Sequence, residues 1–171
     1  CVHWKPETPA RAVLQITHGM VEYIERYEPL AQVLADAGIA VIGHDHLGHG
    51  KTAADEGELG FFAETNGEKA MLKDIHRLSV AAKKRYPGLP CFLMGHSMGS
   101  FLLRQYLTCR SEGLSGAVIM GTGYHCIPEV VAGQALCRLI AAFRGWKYRS
   151  RMVNAIGFGG FNRRFLPCET D

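Results

Sequence analysis

The fold of this chain is best predicted from one short segment, Cys91-Phe92-Leu93-Met94-Gly95-His96-Ser97-Met98-Gly99. Its first four residues are apolar and predict a buried strand, and a helical pattern of apolar residues follows Ser97. A serine on a sharp turn between strand and helix needs small residues two positions away on either side, where Gly95 and Gly99 stand. The motif predicts Ser97 as a nucleophile; the alternative is a glycine-bounded helix start whose serine does no chemistry.

A second short motif, His18-Gly19-Met20, directly follows another apolar run. A His-Gly turn after an early strand can supply one backbone N–H to a tetrahedral oxyanion, and the residue after the nucleophile can supply the other. The amides of Met20 and Met98 are therefore the predicted oxyanion hole. A plain strand-ending turn is the alternative interpretation.

The chain alternates strand and helix patterns. Its near-continuous apolar runs predict four strands covered on both faces, at Ala12–Thr17, Ala40–His44, Cys91–Met94 and Ala117–Met120. Helical segments separate these runs. This alternation predicts an α/β fold built on a mostly parallel, doubly wound sheet with helices on both faces.

Turn and cap residues mark the predicted helices. Pro29 begins one helix in its first turn, and Gly38 ends it. The segment from Thr65 to Glu68 has the spacing of a capping box and predicts the start of the next helix, which Pro87 ends.

The segment His44-Asp45-His46-Leu47-Gly48-His49-Gly50-Lys51-Thr52 permits three interpretations. Closely spaced histidines and an aspartate could bind a metal. Gly50-Lys51-Thr52 resembles the end of a phosphate-binding loop, but Asp45 stands where that motif requires glycine. We expect instead a tight structural loop at the end of a strand.

The amino-acid composition is typical of a globular protein domain. Apolar residues make up 47% of the 171 residues and charged residues 20%, as in globular domains. No apolar run is long enough to span a bilayer, and no secretory signal is visible. The six cysteines form no C-x-x-C pair, which favours free thiols and a cytoplasmic protein. We expect no cofactor, no metal and no nucleic-acid partner.

The segment from Val130 to Cys168 carries seven basic residues and no acid. Such charge segregation indicates a separate role or partner. Aromatic residues are interleaved with the basic ones, a mixture suited to the interface of water and lipid. We expect peripheral contact with anionic membranes; pairing with acidic groups elsewhere in the protein is the alternative.

Three motifs together resemble the monoacylglycerol lipase and lysophospholipase group of the α/β-hydrolase superfamily: His18-Gly19-Met20, Asp45-His46-Leu47-Gly48-His49-Gly50 and Gly95-His96-Ser97-Met98-Gly99. The resemblance implies that residues 1–123 are the N-terminal part of the hydrolase core and that 124–171 begin a helical cap. It also implies a loop shaped by Asp45 and His49. We expect His18, Gly19 and His96 to contact the substrate.

The resemblance implies a serine ester hydrolase that acts on a monoacyl lipid, either monoacylglycerol or lysophospholipid. In this superfamily the triad runs Ser, Asp, His along the chain. The acids after Ser97 are Glu112, Glu129, Glu169 and Asp171, and His125 is the only later histidine. We expect the triad Asp and His to lie outside this chain, with His125 as a weaker candidate base. An aminopeptidase-like peptidase and a non-catalytic module are the alternatives.

Overall fold

The computed structural model describes residues 1–158, which fall into two compact units: Cys1–Gly123 and a second unit that begins at Tyr124. Cys168, Glu169 and Asp171, named above, lie outside the described part of the chain, as do Arg163 and Arg164, two of the seven basic residues between Val130 and Cys168.

A five-stranded sheet forms the centre of the first unit. Its strands are β1 (Val2–Trp4), β2 (Ala12–Thr17), β3 (Ile39–Gly43), β4 (Cys91–His96) and β5 (Gly116–Met120), in the order β1-β3-β2-β4-β5. All neighbouring pairs are parallel except β1 and β3. The predicted α/β fold is confirmed, and among the strands of residues 1–158 the one that the sequence missed is the short antiparallel strand β1.

Three α-helices accompany the sheet: α1 (Glu28–Asp36), α2 (Gly67–Arg85) and α3 (Met98–Cys109). Short 3-10 turns lie at Ile24–Tyr27, Gly50–Thr52 and Glu56–Glu58. The predicted capping box before α2 is wrong, because Asn66 precedes the helix in a left-handed conformation and its side chain makes no capping hydrogen bond. The helix therefore depends on its buried face rather than on a cap.

Side chains alternate between the two faces of the sheet and bury a core on each. On one face Ile16 and Val41 pack with Ala31 of α1. On the other, Leu93 packs with Ile75 of α2 and Leu103 of α3. Helices thus cover both faces of the central strands, as the sequence predicts, and the carboxyl ends of β2, β3 and β4 meet at one edge of the sheet. The prediction that β5 is also covered on both faces is wrong, because this strand lies at the edge of the sheet and Val118, Ile119 and Met120 are exposed.

The second unit contains α4 (Ile127–Arg144) and α5 (Arg151–Phe158). A largely apolar cleft of about 600 Å³ lies within this unit, between Phe143, Tyr148 and Met152. The Arg144 guanidinium stacks over the Tyr148 ring at 4.7 Å. Within residues 1–158, no helix is long and apolar enough to cross a membrane.

Candidate active site

The backbone of Ser97 turns sharply between β4 and α3. Its φ of 50° and ψ of −119° are rarely adopted by residues other than glycine, and such a conformation costs about 1–3 kcal/mol. Ser97 N–H donates to the Met120 carbonyl oxygen at 3.0 Å, so pairing with the end of β5 helps to hold the turn. The turn presents a partly exposed Ser97 at the carboxyl edge of the sheet.

The two glycines of the motif each make room for backbone. A methyl group on Gly95 would lie 2.5 Å from the Gly99 carbonyl oxygen. A methyl group on Gly99 would lie 2.5 Å from the His18 carbonyl oxygen and still closer to that of Thr17. Gly99 therefore allows α3 to begin directly against the end of β2, which brings the His18-Gly19-Met20 turn beside Ser97.

The His18 imidazole sets the orientation of this turn. Its Nε2 accepts the His46 N–H at 2.9 Å, which leaves the proton on Nδ1 to be donated to the Gly19 carbonyl oxygen at 2.8 Å. In a trans peptide the C=O and the following N–H point in opposite directions. With its carbonyl held by His18, the Gly19–Met20 peptide directs the Met20 N–H away from the buried imidazole.

The turn and the serine elbow are in close contact. A methyl group on Gly19 would lie 3.0 Å from Ser97 Cβ and 3.2 Å from the His96 carbonyl oxygen. Within residues 1–158, neither the Met20 amide nor the Met98 amide donates a hydrogen bond. Two unpaired amides on adjacent turns beside a serine can together donate hydrogen bonds to an oxyanion.

Glu22 links the same two turns, and no sequence motif identifies it in advance. Its Oε1 accepts the Gly19 N–H, the Tyr27 hydroxyl at 2.9 Å and the His96 Nδ1–H at 2.8 Å. Burial by itself raises the pKa of Glu22, but the hydrogen bonds from His96, Gly19 and Tyr27 outweigh burial and lower this pKa. Glu22 is therefore an ionised, buried carboxylate beside the nucleophile.

The histidine-rich segment forms a tight loop at the end of β3. His46 Nε2 lies 3.2 Å from the His18 carbonyl oxygen, which completes a reciprocal pair with the bond from His46 N–H to His18. Asp45 accepts the Ile24 N–H at 2.8 Å and the Lys51 N–H at 2.9 Å. Because a carboxylate already occupies the Lys51 amide, this turn does not form a phosphate cradle.

The buried imidazoles of this loop are neutral. Burial lowers the pKa of His46 to about 2 and also lowers the pKa values of His18 and His44. Within the part of the chain that the structure describes, no three His, Cys, Asp or Glu side chains are arranged to hold a metal ion. The ring contacts among His18, His46 and His49, with centroids 4.3–6.5 Å apart, belong to the packing of the loop.

The structure places Gly19, Met20, His96, Ser97 and Met98 next to one another, and their roles in catalysis and substrate binding stay predictions. His18 differs, because its side chain is fully buried and lies beneath the turn. Direct contact between the His18 side chain and a substrate does not fit this burial, and we assign the imidazole a supporting position instead. His125 belongs to the second unit.

A mostly parallel sheet that carries a strained serine turn after one strand and a His-Gly turn after another has the architecture of an α/β-hydrolase. Solved structures agree. A thermostable carboxyl esterase from Bacillus coagulans, in complex with glycerol, superposes with a TM-score of 0.83 at 31% identity, over 98% of this chain and 54% of the esterase. The chain belongs to the serine aminopeptidase S33 family, whose family model matches residues 8–163.

Curated relatives confirm the resemblance to monoacylglycerol lipases. The human monoglyceride lipase is 38% identical over 129 residues, which are 75% of this chain and 41% of that lipase. A monoglyceride lipase homolog from Monkeypox virus is 36% identical over 127 residues, or 70% of this chain and 41% of that protein. The chain therefore spans about two fifths of the length of these relatives.

Proposed function

We propose that the full-length protein is a serine ester hydrolase that acts on monoacyl lipids, monoacylglycerol or lysophospholipid, through an acyl-enzyme on Ser97. One observation carries this proposal: Ser97 stands on a strained turn with the unpaired amides of Met20 and Met98 beside it. Relatives of this chain are a lipase and a carboxyl esterase, which supports an ester as the substrate.

In the proposed reaction, Ser97 Oγ bonds to the ester carbonyl carbon while its proton passes to a histidine base. The carbonyl oxygen becomes an oxyanion that accepts hydrogen bonds from the Met20 and Met98 amides. The intermediate then expels the alcohol, which takes the proton from the histidine, and the acyl group stays on Ser97. Water repeats these steps to release the fatty acid and restore Ser97.

We further propose that the histidine base and its aspartate partner come from outside this chain. The order Ser, Asp, His is general in this superfamily, and the chain corresponds to about two fifths of its curated relatives. His125 remains the alternative base.

The surface of the second unit supports peripheral contact with anionic membranes. Phe143, Trp146 and Ile156 are exposed there, among the basic residues Arg138, Arg144, Lys147, Arg149 and Arg151. Aromatic side chains are favoured at the water–lipid interface, and basic residues pair with lipid phosphates.

All cysteines of residues 1–158 are free thiols, which supports a reducing, cytoplasmic location.

The test of the nucleophile uses the full-length protein and a fluorophosphonate probe. Wild-type protein should be labelled and should hydrolyse monoacylglycerol, whereas Ser97→Ala should lose both, since only weak residual catalysis remains without a nucleophile. The matched control is Ser111→Ala, because Ser111 is an exposed serine outside the site and its loss should leave labelling unchanged. Labelling that persists in Ser97→Ala contradicts the assignment.

Two further outcomes separate the alternatives. Cleavage of aminoacyl amides in preference to monoacyl esters would favour a peptidase, the activity named in the description of the matching family. Absence of both labelling and hydrolysis in the folded full-length protein would favour a non-catalytic module.

A further inference from the structure

The Glu22 carboxylate lies between the two turns that carry the proposed oxyanion amides. One of its donors, the Gly19 N–H, immediately precedes Met20, and another, His96, immediately precedes Ser97. A single oxygen, Oε1, accepts both of these hydrogen bonds and that of the Tyr27 hydroxyl. The Glu22 side chain is 8% exposed, so water offers little competition for these bonds.

We propose that Glu22 is a positioning residue for ester hydrolysis at Ser97: it holds the Gly19 turn against the Ser97 elbow so that the Met20 and Met98 amides converge on one oxyanion. This inference rests on the proposed function. The positions of both turns matter because donors must lie 2.7–3.1 Å from the developing oxyanion, and a displacement of about 1 Å can lower the rate about a hundredfold.

The peptides on both sides of Gly19 are held, and by different residues. Glu22 accepts the N–H of the His18–Gly19 peptide, and His18 donates to the C=O of the Gly19–Met20 peptide. If the Glu22 bond is lost, the His18 bond still fixes the direction of the Met20 N–H, but the hydrogen-bonded link from this turn through Glu22 to His96 is broken and only packing remains. We therefore expect a partial loss of oxyanion stabilisation rather than its abolition.

The backbone between Gly19 and Glu22 adopts an unfavourable conformation that directs the Glu22 side chain to the Gly19 turn. Val21 has a φ of 60°, which is a rare and strained conformation for a β-branched residue. Its side chain is 85% exposed, so packing of this side chain does not explain the conformation. The left-handed residue turns the chain back so that the Glu22 carboxylate reaches the Gly19 N–H, and the hydrogen bonds of Glu22 offset the strain.

Geometry, rather than charge, is the contribution of Glu22 in this proposal. A carboxylate charge near a developing oxyanion is repulsive, and the three donors only moderate that repulsion. A neutral oxygen at the same point would accept the same three donors. Glutamine places such an oxygen there, whereas aspartate keeps the charge but is one methylene too short to reach both turns.

The experiment compares three variants in the full-length protein: Glu22→Gln, Glu22→Asp and Glu22→Ala. For hydrolysis of monoacylglycerol, kcat should fall at least tenfold in Glu22→Asp and Glu22→Ala, while KM stays within threefold of wild type. In Glu22→Gln, kcat should stay within threefold of wild type. The rate of fluorophosphonate labelling should fall in parallel with kcat, since the tetrahedral phosphorus adduct also uses the oxyanion amides. The inhibition constant of a monoalkyl glyceryl ether, which has no carbonyl oxygen, should change less than threefold.

The matched control is Glu25→Ala, which removes an exposed carboxylate three residues away that pairs with Lys51. Its kcat should stay within twofold of wild type. Equal losses of kcat in Glu22→Gln and Glu22→Ala would overturn the proposal, because the negative charge of Glu22, and not its position, would then be what catalysis requires. A rise in KM and in the ether inhibition constant at constant kcat would also overturn it, because Glu22 would then be a substrate contact.

Failure of the proposed function gives a different result from failure of this inference. If Ser97→Ala keeps hydrolysis and labelling, Ser97 is not the nucleophile, and the positioning role of Glu22 at Ser97 is overturned together with the proposed function. If Ser97→Ala abolishes both while Glu22→Ala retains wild-type kcat, only the positioning role is refuted. The Tm of each variant is measured by thermal unfolding, and a Tm equal to that of wild type shows that a loss of activity does not come from misfolding.

Discussion

Replacement of Gly99 by alanine tests the contact on which the whole site depends. The added methyl group would lie 2.5 Å from the His18 carbonyl oxygen and closer to that of Thr17, and both obstacles are backbone atoms that cannot rotate away. Overpacking of this kind destabilises by about 1–3 kcal/mol and occasionally more, and we expect about 3 kcal/mol here. The start of α3 must also move away from β2, which separates Met98 from Met20.

Gly133→Ala is the matched control, because Gly133 lies inside α4 with nothing within 4 Å of the added methyl group. Alanine is favoured over glycine in a helix by about 1 kcal/mol, so this variant should gain stability. Denaturant unfolding of the full-length protein should therefore separate the two variants by about 4 kcal/mol when these two expectations are combined. Gly99→Ala should also lose about tenfold to a hundredfold in kcat. Equal stability of the two variants, or wild-type kcat in Gly99→Ala, would refute the argument.

Two further predictions concern acid stability and membranes. The folded pKa of His46 is about 2 against an ordinary value of 6.5, so the unfolded state binds the extra proton, and stability should fall as pH drops below 6.5. For this one imidazole, the free energy of unfolding should change by up to about 1.4 kcal/mol per pH unit. His46→Asn should reduce this slope, whereas the control His125→Asn, at an exposed position, should not. A free energy of unfolding that stays constant from pH 7.5 to 5 in denaturant titrations would contradict the prediction. In vesicle co-sedimentation, binding should rise with the content of anionic lipid and fall with salt. It should weaken about 1000-fold when four basic residues are changed to Gln, since each contributes about 1 kcal/mol. Equal binding to neutral vesicles would rule the surface out. The four residues are Arg144, Lys147, Arg149 and Arg151.

Strand prediction succeeded for the continuous apolar runs, including that of β5, which is exposed in the structure. The predicted Ala12–Thr17 matches β2 at both ends, and three other strands differ by one or two residues at their ends. Strand β1 could not be found in this way, because three residues are too few for a periodicity and its partner, β3, is remote in sequence. Its antiparallel direction is likewise a property of the tertiary fold.

The site was predictable only where a motif constrains the backbone. Gly95, Ser97 and Gly99 are recognisable because sterics dictate their spacing. Glu22 has no such signature, since its importance comes from where the left-handed Val21 directs the chain. For His44–Thr52 the sequence predicted a structural loop, with a metal site and a phosphate-binding loop as alternatives, and burial and hydrogen bonds favour the structural loop.

The order of strands in the sheet bears on when the serine turn forms during folding. Strand β3 begins at Ile39, soon after β2 ends, whereas β4, the other neighbour of β2, begins only at Cys91. Pairing over the longer separation closes a larger loop and forms more slowly. The β2–β3 pair with α1 can therefore assemble while the chain around Ser97 is still unpaired.

The unusual backbone of Ser97 is held from both sides, by pairing of Thr17 with Gly95 and of His96 with Met120. Both contacts require β4 to be in place, and one also requires β5. Before that point the local chain is free to relax to an ordinary conformation. Partly folded forms of the protein therefore lack the raised serine, and the reactive turn arises among the last features of the first unit.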